Sequence, residues 1–73
     1  MKVTWEAADI IPGRRYSKPG IGEKWIIGYI SDMDGPARYV SVSNQDGMVT
    51  EPRTKEQVAQ VLTENGYLPV ELL

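Results

Sequence analysis

The chain has 73 residues, a net charge of −2 and neither cysteine nor histidine. It therefore holds one domain, residues 1–73, with no disulfide, none of the usual zinc sites and no Ser-His or Cys-His catalytic pair. With 41% hydrophobic and 25% charged residues it has the balance of an ordinary globular chain, and no apolar run approaches the ~20 residues that span a bilayer.

In chain order, the first residues, MKVTWE, contain no signal-peptide apolar region. A cytoplasmic protein is expected, and its brevity suggests a small prokaryotic or phage product. Val3 to Trp5 is a weak strand candidate. The stretch DIIPGRRYSKPGIGEKW (9–25) then carries half of the cationic side chains. Residues 1–24 balance Lys2, Arg14, Arg15, Lys18 and Lys24 against Glu6, Asp9 and Glu23, a net +2, whereas 25–53 and 54–73 each come to −2. Within this arm, Pro12-Gly13 suits the centre of a type II turn and RRYS (14–17) reads as a short strand.

KWIIGYIS (24–31) is the clearest strand. Trp25, Ile27 and Tyr29 point to one side, Ile26 and Ile30 to the other, so both faces are apolar and the strand belongs in the middle of a sheet. SDMDGP places Asp32 and Asp34 in a turn. RYVSVS (38–43) alternates, with Val40 and Val42 on one side and Tyr39, Ser41 and Ser43 on the other, and the two serines read as its solvent side. Asp46-Gly47 is a tight-hairpin pair before a further short strand, MVTE (48–51).

The helix signal is strong. Thr54 followed by Gln57 makes a capping box. Val58, Val61 and Leu62, with Ala59 beside them, form an apolar stripe, and Gly66 suits a left-handed helix end. Pro69 bars continuation, so YLPVELL is expected as an extended edge segment. The expected fold is α+β: a small antiparallel three- to four-stranded meander with one C-terminal helix on one face and an extended C-terminal tail.

No motif specifies a reaction. Asp32 and Asp34 begin like a calcium loop, but Pro36 and Ser43 stand where its fifth and twelfth positions need ligands, and two acids in one turn do not flank a glycosidase cleft. GIGEKW lacks the third glycine of a dinucleotide loop and precedes a strand instead of a helix. No metal, no cofactor and no catalytic residue is expected, and an enzyme is the least favoured class.

Two binding functions remain. A single short helix covers one sheet face, and Val40, Val42, Ile26 and Ile30 suffice to meet it. Trp25, Ile27, Tyr29 and Tyr39 are then left as an aromatic face for a protein partner or a second copy. The alternative is that the N-terminal segment and the tail fold over those rings. The other binding function is a nucleic-acid accessory role, with Arg14, Arg15, Lys18 and Lys24 on phosphates and Tyr16 and Trp25 stacking on bases, although the net negative charge opposes it. The expected protein is thus a non-enzymatic interaction module, homo-oligomeric or docked to a protein.

Overall fold

The computed structural model describes residues 3–31, 35 and 37–73. The β-rich, turn-punctuated first two thirds form a sheet. β1 (Arg15–Ser17), β2 (Trp25–Ile30) and β3 (Arg38–Ser43) run as an antiparallel meander. After the helix α1 (Lys55–Glu64), β4 (Leu68–Pro69) returns to pair antiparallel with β1, giving the order β3-β2-β1-β4. Pro69 has no N–H for a ladder, and it sits in the edge strand where none is needed. The architecture is the α+β arrangement expected from the sequence.

The β2–β3 register decides which side chains share a face. Trp25 lies opposite Ser43, Ile27 opposite Ser41 and Tyr29 opposite Tyr39, while Ile26 faces Val42 and Gly28 faces Val40. The outer edge of β3 is occupied by residues 49–53, which are not a continuous strand as MVTE suggested. They make isolated bridges, Val49 to Val42 and Arg53 to Tyr39, and the Arg53–Tyr39 pair exchanges both backbone hydrogen bonds at 3.0 and 2.7 Å. Asp46-Gly47 does not close a two-residue hairpin. The Ser43 amide donates to the Met48 carbonyl, so Asn44–Gly47 form a four-residue connection that ends on Gly47 at φ 71°. Asp32, Met33, Asp34 and Pro36, which carried the acidic-turn reading, lie outside the described residues.

α1 begins and ends as its sequence dictates. The Thr54 hydroxyl accepts the Gln57 amide at 3.2 Å, and the Gln57 side chain accepts the Thr54 amide at 3.1 Å. At the other end Gly66 (φ 73°) donates to Thr63, and Tyr67 donates to the Leu62 carbonyl. Two of the helix's otherwise orphaned carbonyls are thereby satisfied in a Schellman pattern.

The helix covers the opposite face from the one expected. Val58, Ala59 and Leu62 pack with Ile27, Tyr39, Tyr16, Trp5 and Ile10 into one core, against which Val3, Trp25 and Tyr67 are partly buried. Ser41 and Ser43, read as the solvent side of β3, are each only 3% exposed and lie on this covered face. The physical reason is bulk. A strand with two apolar faces can offer either one to a helix, and the side with Trp25, Ile27 and Tyr39 has the volume that Trp5 and Ile10 can also fill. Val3 to Trp5 is not a strand. This segment leads into a 3-10 turn, Ala7–Asp9, beside α1. The Trp5 amide donates to the Thr63 hydroxyl and its indole N–H to the Tyr67 carbonyl, both at 2.8 Å. The N-terminal segment thus closes over the aromatic side of the sheet.

Candidate interaction face

With the aromatic side covered, the apolar surface left open is on the other side of β2 and β3. Ile26, Ile30 and Val49 are 40%, 45% and 56% exposed. Cross-strand pairing puts Ile26 beside Val42 and Val42 beside Val49, so these residues form one continuous patch. Val40, on the same side between them, is itself only 8% exposed, and a Cβ on Gly28 would stand 3.2 Å from its side chain. The missing Gly28 side chain therefore lets Val40 settle between the strands and keeps the patch flat. Arg15 and Arg38 are on the same side of the sheet, at its margins, opposite Ile26 and Ile30 respectively.

The β1–β4 end of this side is different. Leu68, Leu72 and Leu73 gather with Ile21 around an open groove of about 550 Å³, with Lys18 and Lys24 among its lining residues. Leu72 belongs to a 3-10 turn, Val70–Leu72, that brings the tail back toward β1. The tail therefore shelters one half of the side and leaves the β2–β3 half uncovered.

The residues proposed from the sequence as an aromatic contact surface are distributed accordingly. Ile27 and Tyr39 are core residues, 1% and 5% exposed, and cannot meet another molecule without unfolding. Trp25 is half-buried against the core. Tyr29 is half exposed, stacked edge-on to Tyr39 with ring centroids 5.4 Å apart. Lys55 reaches over the Tyr39 ring at 5.6 Å, so even the helix end contributes cover there.

Nor does the fold bring the basic arm together as one surface. Arg14 turns back to the N-terminal segment, donating to the Asp9 carbonyl at 2.8 Å with its carboxylate at 3.7 Å. Arg15 faces the other side of the sheet, opposite Ile26. Tyr16 is buried, with its ring against Trp5 and Tyr67, and is unable to stack on a base. Lys18 lies over the Tyr67 ring at 4.7 Å, and Lys24 lines the groove.

Among the described residues no group of three or more Asp or Glu side chains is placed to hold a metal, and no helix is long and apolar enough to cross a membrane. The residues that make the open patch, Ile26, Ile30, Val42 and Val49, were legible as apolar strand positions. The missing signal was which side the helix would take. No family model, no curated protein and no solved structure matches the chain.

Proposed function

We propose that this protein is a non-enzymatic interaction module that associates with a second copy of itself through the β2–β3 side opposite the helix. The observation that carries the reading is the apolar group of Ile26, Ile30 and Val49, 40–56% exposed, with the partly exposed Val42, on the β2–β3 half of a side that the tail covers only at its β1–β4 end. A sheet face of this composition is stabilised by a second apolar layer about 10 Å away, and two such faces can supply that layer to each other. Size argues the same way. A domain this small derives only about 3–5 kcal/mol from its own core, and without cysteine it has no crosslink to add. Association is the remaining common source of stability.

Sedimentation equilibrium from micromolar to millimolar concentration tests this. A dimer is expected for the native chain, and Ile26→Lys and Val42→Lys are each expected to give a folded monomer, since a lysine in a dry interface core must be desolvated. A native chain that stays monomeric across that range overturns self-association. A lysine variant that is folded and still dimeric overturns the choice of face.

A further inference from the structure

Between α1 and the covered side of the sheet lies a cavity of about 180 Å³. Its walls are unequal. One is mainly apolar, from Val58, Val61 and Leu62 of the helix with Trp25 and Tyr67, and ends on Asn65. The other is polar and comes from three separate segments: Tyr16 of β1, Ser41 of β3, and Thr50 and Arg53 from the segment on the outer edge of β3.

Arg53 is the unusual member. Its backbone is fixed by both hydrogen bonds to Tyr39, so its side chain starts from a rigid point. It is half-buried, and no carboxylate of the described residues forms an ion pair with its guanidinium. A partly desolvated guanidinium carries unused donors in a planar fork. The Thr50 hydroxyl on the same wall is also available. Thr50 Oγ1 accepts the Ser41 amide at 2.8 Å, so its proton is free to be donated. The Ser41 hydroxyl and the Arg53 charge both work to lower the Tyr16 phenol's pKa against the rise that burial causes. Glu23, the acidic residue whose field also reaches Tyr16, has its carboxylate engaged by the Ser43 hydroxyl.

We infer that this cavity is a binding site for a small aromatic monocarboxylate, with the carboxylate on Arg53 and Thr50 and the ring between Trp25, Tyr67 and the helix. The size fits one ring, since a cavity of about 150 Å³ accepts benzene. The charge fits one carboxylate, because a single guanidinium fork matches that group in two parallel hydrogen bonds. The chain thus has a small-molecule site on the side of the sheet away from its open patch, and ligand binding there is separable from association.

The probe is benzoate, titrated into the isotopically labelled full chain by NMR, with benzamide as the uncharged counterpart of the same shape. Benzoate is expected to give saturable shifts at Arg53, Ser41 and the Trp25 indole, and benzamide to bind at least ~10-fold more weakly, because charge-assisted hydrogen bonds are lost. Arg53→Gln is expected to reduce benzoate to the level of benzamide. Arg38→Gln, outside the cavity, is expected to leave it unchanged. Absence of saturable shifts, equal binding of the two probes, or an equal loss in Arg38→Gln overturns the assignment. If Arg53→Gln does not fold, the comparison of the two probes on the native chain decides the matter alone.

Discussion

The Tyr16 phenol shows how one residue ties packing to solution conditions. Its ring meets Trp5 edge-on at 6.1 Å and Tyr67 at 5.0 Å, inside the layer that the N-terminal segment and helix close. Burial raises its pKa above the ordinary 10.0. The Ser41 hydroxyl and the Arg53 charge work against that, and Tyr67 and Glu23 add to it. The folded state therefore holds this proton more tightly than the unfolded chain does. The contribution is fully present below pH 10 and is lost as pH rises through the raised value. Tyr16→Phe has no proton to lose. Denaturation between pH 9 and 12 should show native stability falling more steeply than that of the variant, and parallel curves would contradict the burial argument. Ser41 and Ser43 mark the limit of sequence reading at this scale. Alternation put both on one face correctly, but a small hydroxyl on a strand looks the same whether it meets water or, as Ser43 does, the Glu23 carboxylate. Arg53 gave no signal at all, because its neighbours Tyr16 and Ser41 reach it only through tertiary structure.

Elements with local punctuation were legible; their mutual placement was not. α1 is fixed by contacts within a few residues of each other, Thr54 with Gln57 at one end and Gly66 and Tyr67 with Thr63 and Leu62 at the other. Its bounds therefore follow from sequence. Which side of the sheet it covers does not, since β2 is apolar on both sides and a period of two cannot rank them. The ranking came from Trp5, which anchors a segment with no periodicity of its own to a residue 58 positions later. The capping box makes a separate prediction. Thr54→Ala removes the acceptor for the Gln57 amide and should cost about 1 kcal/mol in chemical denaturation, whereas Thr54→Asn, which keeps a capping oxygen, should cost far less. Equal losses for the two would mean that Thr54 acts through packing and not through its cap.

At the scale of the whole molecule, the principal extents are 40 × 26 × 17 Å, the last being the thickness of one sheet plus one helix layer. A slab this thin has no interior deeper than one layer, so each large side chain between the layers carries an unusual share of the stability. Trp5 is one of them. It is 4% exposed, packs with Tyr16, and hydrogen-bonds from its backbone to Thr63 and from its indole to the Tyr67 carbonyl. Truncating a buried tryptophan costs about 3–5 kcal/mol, which equals the roughly 3–5 kcal/mol that a core of this size provides. Trp5→Ala should therefore be unfolded as a monomer, with no cooperative transition in far-UV circular dichroism. Trp5→Phe, which keeps most of the volume and loses the indole hydrogen bond, should remain folded with a lowered midpoint. The same arithmetic bears on association. If the β2–β3 face pairs with a second copy, raising the concentration should recover part of the stability of Trp5→Phe by mass action. A midpoint independent of concentration would show that the slab is stable on its own, and that its open side contributes nothing to holding it together.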